Sequence, residues 1–188
     1  MGAPEAAGAQ EAAKEPKYLD VYIFAGSASA DLIKKWKGTG KEESVRYIAL
    51  TTGAFQAFAV LEVETLEEIP QTIKTVFGNP TLTNVQTAVP LVPGPNQIRW
   101  TKQYEFGAFS RIRAKSGRAL EVLAATSVVD GYNGSAIVAG AFDVLVEYGA
   151  DTLPDLKHRL VHGLHDSRGI DSSDTAIVTD YDYRGPRK

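Results

Sequence analysis

Three histidines fall within eight residues of the sequence, His158, His162 and His165, and Asp155 precedes them. On a helix turning ~100° per residue these four side chains share one side, opposite the stripe Leu153, Leu156, Leu160 and Leu164. His at i and i+4 is the spacing of helical zinc ligands. A Zn²⁺ or Ni²⁺ site, within one chain or between chains, is one expectation. A solvated helix face would be polar as well, and no Glu follows the first histidine as in the metalloprotease pattern. The same stripe is also a candidate pH sensor, because His titrates near neutrality. Arg111 and Arg113 stand two apart, which puts both on one face of a strand. Such a pair could grip a carboxylate or a phosphate. Cross-strand ion pairing would use the same residues.

Other chemistry is scarce. The chain has no cysteine, which excludes a disulfide framework, thiolate metal sites and a thiol nucleophile. There is no Gly-x-Ser-x-Gly. Gly38-Thr39-Gly40-Lys41 follows a predicted helix rather than a strand and lacks phosphate-loop spacing. Trp36, Tyr22 and Phe24 could line a pocket, but aromatics at these periods also make ordinary core. The net charge of −3 gives no basic surface for nucleic acid. No basic segment leads into an apolar signal core, and no run reaches the ~18 apolar residues of a membrane span. The expectation is a cytoplasmic protein without a cofactor. Whether it is an enzyme stays open.

The elements that must position these residues occur twice. Gly53-Ala54-Phe55 leads into an apolar run and Thr65-Leu66-Glu67-Glu68; Gly140-Ala141-Phe142 leads into another and Thr152-Leu153-Pro154-Asp155. Gly53 and Gly140, like Thr65 and Thr152, are 87 residues apart. A fixed-period match of this kind marks a duplicated structural unit. Each Thr-x-x-acid reads as a capping box. Around these anchors lie strands over 18–25, 45–50, 54–63 and 85–92, then 104–114, 132–139, 141–148 and 175–181. Helices are predicted after Ser27 or Ser29 (with Leu32, Ile33 and Trp36) and after Thr65, where Pro70 threatens a kink. Two more follow Ser116 (with Leu120, Leu123 and Val128) and Thr152. Pro90, Pro93, Gly94 and Pro95 take the chain out of the sheet. The expected organisation is a disordered tail 1–17, repeat one 18–92, a Pro-rich linker 93–103, repeat two 104–183 and a basic tail 184–188.

Both halves therefore read β-α-β-β-α-β, the ferredoxin-like order. Phe58-Ala59-Val60-Leu61 and Val144-Leu145-Val146 are apolar on both faces, whereas a sheet with one wet face alternates. Helices cover one face, so the other repeat's sheet must cover the second. The fold class is α+β: two ferredoxin-like repeats fused in one chain, their antiparallel sheets packed as an α/β barrel. The edge strands of each sheet would favour self-association.

The second half resembles the ligand-binding (RAM) domain of the Lrp/AsnC regulators, within the dimeric α/β-barrel superfamily. The resemblance lies in Gly107 to Ala114 followed by Ser116-Gly117, in Gly140-Ala141-Phe142-Asp143 before Val144-Leu145-Val146, and in Gly169-Ile170 before Thr175-Ala176-Ile177-Val178. It covers roughly residues 104–181. Repeat one departs from it, with Gln56 in place of the Asp. Nothing before Tyr18 corresponds to the family's helix-turn-helix, so no direct DNA contact is implied. What the resemblance implies is a homo-oligomeric module that binds a small effector such as an amino acid, with Gly140, Asp143, Ser172, Ser173, Asp174 and Thr175 around it. A glycine lets backbone amides reach a carboxylate, and an Asp can hold an ammonium. Gly140 could also serve the turn alone, and Asp143 a buried network. The competing readings are a barrel enzyme of the small-monooxygenase type and a self-assembling scaffold.

Overall fold

In the computed structural model the described residues are 18–27, 31–32, 44–77, 83–94, 98, 104–165 and 167–184, without the side chains of Pro93 and His165. Of the expected first helix only Asp31 and Leu32 are described, and both are helical; Ile33, Trp36, the expected tail 1–17, all but Arg184 of the expected tail 184–188 and most of the linker lie outside the described residues. The first repeat contains β1 (Leu19–Ala25), β2 (Val45–Gly53), β3 (Ala57–Val63), helix α1 (Ile69–Phe77) and β4 (Gln86–Pro93). The second contains β5 (Phe106–Ala114), α2 (Ala119–Ser127), β6 (Tyr132–Ala139), β7 (Val144–Ala150), α3 (Leu153–His165) and β8 (Ile170–Tyr183).

The strands close into one barrel in the order β1-β3-β2-β8-β5-β7-β6-β4, and β4 returns to β1. Every pairing is antiparallel. Within each half the fourth strand lies beside the first, then the third, then the second, which is the ferredoxin-like arrangement. Two strands join the halves. The 14-residue β8 runs beside β5 from Ile170 to Ile177 and beside β2 from Ala176 to Tyr183. Likewise β4 pairs with β1 through Gln86–Ala88 and with β6 through Val89–Pro93. Pro90 and Pro93 therefore stay in the sheet, contrary to the sequence reading. A register shift between Pro90 and Val92 accommodates a residue that has no N–H to donate. Closure also leaves no free sheet edge, so edge-to-edge association is not a route to an oligomer.

The apolar strands bury both faces as their pattern required. Phe58, Val60 and Leu145 join Tyr22, Phe24, Tyr47, Phe109 and Phe142 inside the barrel. Ala59 and Leu61 face outward with Val76 and Phe77 of α1. Val144, Val146 and Tyr148 pack with Val122 and Leu123 of α2 and Leu156 and Leu164 of α3. The interior is a net of aromatic rings, such as Phe58–Phe109 with centroids 4.2 Å apart and Phe24–Phe142 edge-on at 5.2 Å. Aromatic pairs of this kind add to their area burial.

Local details correct several expectations. Thr152 does cap α3: its Oγ1 accepts the Asp155 N–H at 3.2 Å and its hydroxyl donates to Asp155 Oδ2 at 2.6 Å. Thr65 makes no such bond, and Glu68 instead accepts the N–H of Glu64. A 3₁₀ turn over Leu66–Glu68 delays α1, which places Pro70 in its first turn, where a proline is tolerated. Helix α2 starts after Arg118 rather than at Ser116, and it buries Val122, Leu123 and Thr126 while Leu120 and Val128 are exposed. Strand β8 begins at Ile170, so Ser172, Ser173 and Asp174 are strand residues and not loop. Among the described residues no helix is long and apolar enough to cross a membrane.

Gly53 ends β2 with φ +127, and a Cβ there would lie 2.5 Å from the carbonyl oxygen of Thr175. Gly117 has φ +74 with open space around it. Gly117→Ala should cost ~1 kcal/mol, the left-handed penalty alone. Gly53→Ala should cost roughly 3 kcal/mol, because the β2–β8 seam must also move. Urea unfolding midpoints compare the two directly.

Candidate functional site

Alternate residues of β5 point into the barrel, and Arg111 stands at the mouth beside the turns 53–56 and 140–143. Its register partner on β8 is Asp174, and that of Arg113 is Ser172. Arg111 donates from Nε to Asp174 Oδ1 at 2.7 Å and from NH2 to Oδ2 at 2.8 Å, while NH1 donates to Gln86 Oε1 at 2.9 Å. The guanidinium lies over three rings, 4.7 Å from Phe55, 5.3 Å from Phe24 and 5.7 Å from Phe142. Its side chain is only 12% exposed, whereas that of Asp174 is 44% exposed. A two-pronged, ring-stacked arginine is a fixed wall, since its planar fork loses little freedom per bond formed. Gln86 and the rings Phe24 and Phe55 come from repeat one, so the wall exists only because the halves are joined.

A cavity opens on each side of the Arg111–Gln86 link. One, of about 200 Å³, is lined by Arg113, Phe142, Ser172, Ser173 and Asp174. The other, of about 420 Å³, is lined by Phe24, Gly26, Phe55, Asn84 and Val85. Of the residues expected around an effector, Ser172, Ser173 and Asp174 thus meet at one cavity, together with Arg113. Gly140, Asp143 and Thr175 stand beside it in other roles. A Cβ on Gly140 would meet the Thr87 carbonyl oxygen at 2.9 Å, so this glycine permits the turn to approach β4. Asp143 accepts the Ala114 N–H on Oδ2 at 2.8 Å, and its own N–H donates to the Ile112 carbonyl at 2.9 Å. It braces the turn against β5. The Thr175 and Ser110 hydroxyls are bonded to each other at 2.8 Å. Arg111 takes the cross-strand ion pair. Among the described residues Arg113 has no ionic partner.

The histidine face is less developed. The His158 and His162 rings lie tilted against each other, centroids 4.4 Å apart, beside a cavity of about 320 Å³. Asp155 is engaged by Thr152, and Arg159 pairs with Asp130 at 2.8 Å. The side chain of His165 lies outside the described residues. Among the described residues no group of three or more His, Asp or Glu is placed to hold a metal ion.

One polar group escaped the sequence reading. Glu147 on β7 points into the barrel and is fully buried. Neither carboxyl oxygen has a well-formed hydrogen bond, nor does the buried Tyr47 hydroxyl. The nearest amide is Asn133, the extra residue of a bulge in β6 against β7, which offsets part of the burial. Burial pushes the carboxyl up from 4.5 to about 8. Tyr47 is also raised, first by burial and then by Glu147. A signal existed: Glu147 occupies the position of Val60 in the repeat alignment, so one acid interrupts an otherwise apolar run.

The folded chain thus holds a proton that the unfolded chain has released between pH 4.5 and about 8. Stability must fall as pH rises through that window and level off above it. Glu147→Gln should flatten this slope and raise stability at pH 8 by on the order of 3 kcal/mol. Chemical unfolding at a series of pH values measures both. An unchanged slope in the variant would show that Glu147 ionises normally.

No protein-family model matches the sequence. No curated protein matches it either. Solved structures do. The siroheme decarboxylase NirDL, in complex with an iron-uroporphyrin III analogue, matches with TM-score 0.63 and 7% identity over 87% of this chain and 72% of its own. An anthrone oxidase-like protein matches with TM-score 0.54 and 12% identity over 93% of this chain and 96% of its own. These likenesses show the fold, an α/β barrel of ferredoxin-like halves. A chain described as FFRP-DM1 shares 23% identity over 39% of this chain and 99% of its own, with TM-score 0.38.

Proposed function

We propose that the protein is an effector-binding regulatory module whose barrel mouth takes a small zwitterion of the amino-acid type. The observation that carries this reading is the composition of the smaller mouth cavity. Arg113 offers a guanidinium and Ser172, its register partner on the same face, offers a hydroxyl, a donor set suited to a carboxylate. Asp174 is held on one side by Arg111 and half exposed on the other, so its remaining lone pairs suit an ammonium. The cavity, at about 200 Å³, is below the usual size for drug-like ligands and matches a compact metabolite. The Lrp/AsnC resemblance of repeat two supports the same ligand class and a homo-oligomeric, regulatory role. Arg111 is the positioning residue here: it holds Asp174 in place.

A thermal-shift series over the common amino acids tests this. A ligand at a hundred times its Kd should add about 2.7 kcal/mol, a rise of several degrees in Tm. Arg113→Ala should weaken that ligand at least about tenfold without lowering the Tm of the free protein by much, since among the described residues the exposed Arg113 side chain has no hydrogen-bond or ionic partner. Silence across the series, or full affinity in Arg113→Ala, would contradict the reading.

The buried acid favours a second reading, a barrel enzyme. A carboxyl with a pKa of about 8 beside a buried phenol is suited to proton transfer at neutral pH. Proton NMR of each bound amino acid over hours separates the two. The regulatory reading expects unchanged ligand, and the enzyme reading expects conversion that Glu147→Gln abolishes.

A further inference from the structure

The two mouth cavities are the same site made twice. Residue positions 87 or 88 apart line corresponding walls: Phe142 against Phe55, Arg113 against Gly26, Ser173 against Val85, and Asp174 against Gln86. The strand register repeats too, with Arg111 opposite Asp174 on β5–β8 and Phe24 opposite Gln86 on β1–β4. The chemistry does not repeat. Each charged residue of the second-repeat wall is uncharged in the first: Arg111 becomes Phe24, Arg113 becomes Gly26, and Asp174 becomes Gln86. The first-repeat cavity is also about twice as large, 420 against 200 Å³, with Gly26 where the second has Arg113. Arg111 and Gln86 line both cavities and form the ridge between them.

We infer that the duplicated cavities are two subsites of one cleft: the second-repeat half takes a charged head and the first-repeat half an uncharged, planar apolar tail. This rests on the zwitterion reading above and adds the class of ligand, an amino acid with an aromatic side chain. Several features select such a tail. Phe24 and Phe55, edge-on to each other at 5.1 Å and each only 1% exposed, form the apolar floor of this half. Among the described residues no ionised group other than Arg111 lines this half, so a charged tail would find there no counter-ion beyond one already paired. A methyl side chain would leave the larger cavity to water.

Isothermal titration of the full chain with L-alanine and with L-phenylalanine tests the inference. L-phenylalanine should bind at least about tenfold more tightly, the usual return on burying a large apolar group. Val85 is 39% exposed and lines only the tail half. Val85→Trp should fill that half and Val85→Lys should place a charge there. Both should remove the preference for L-phenylalanine and leave L-alanine within about twofold. Equal affinity for the two amino acids in the natural chain, or a preference that survives both substitutions, overturns the two-subsite cleft and leaves the head site standing. Binding of neither amino acid overturns the head site, and the cleft with it.

Discussion

Two strands that each serve two sheets hold this molecule together. β4 and β8 begin beside the first strand of their own repeat and finish beside the second strand of the other. A ferredoxin-like sheet on its own has one face under helices and one bare. Here the long strands close both bare faces onto each other, so the aromatic net and the mouth become interior features. The register also fixes where the mouth residues meet. Arg111 comes from β5, its carboxylate partner from β8, its amide partner from β4, and two of its three rings from repeat one. Without closure none of these contacts across the halves exists.

Duplication explains why such a barrel can carry chemistry on one side only. The backbone requires little of position 60 or 147 beyond an inward residue; Val meets that in one repeat and Glu in the other. Burying an acid costs free energy unless it stays protonated, and the raised pKa of Glu147 is the form that cost takes. At the mouth the same freedom gave one half arginines and a carboxylate and left the matching positions of the other uncharged. Residues that break the internal symmetry are where the fold's own demands are weakest, and so where function is best sought.

Much of the architecture was legible because it depends on pattern. Doubly apolar strands demanded a cover on each face, and the 87-residue offset supplied one. Details that depend on local competition were less legible. Thr65 lost its cap to a 3₁₀ turn, Leu120 lost the helix interior to Val122, and the prolines of β4 were tolerated at a bulge. The site was legible in part. Ser172, Ser173 and Asp174 were expected together, but Arg113 was weighed apart from them, because strand pairing between residues about sixty apart cannot be read from spacing. Asp143 and Gly140 carried the family-like motif, yet their visible bonds and contacts brace the turn. Glu147 was missed because attention to hydrophobic periodicity passes over a single acid within it.

Separating the halves tests the central claim most directly. Fragments 1–98 and 99–188 would be produced individually and then mixed in equal amounts. The account expects each alone to bind a hydrophobic dye and to lack a sharp, concentration-independent melt, and the mixture to form a one-to-one complex with the near-UV circular dichroism of the intact chain. If either fragment instead remains a dye-silent monomer with its own cooperative transition, its sheet needs no partner and the account is wrong.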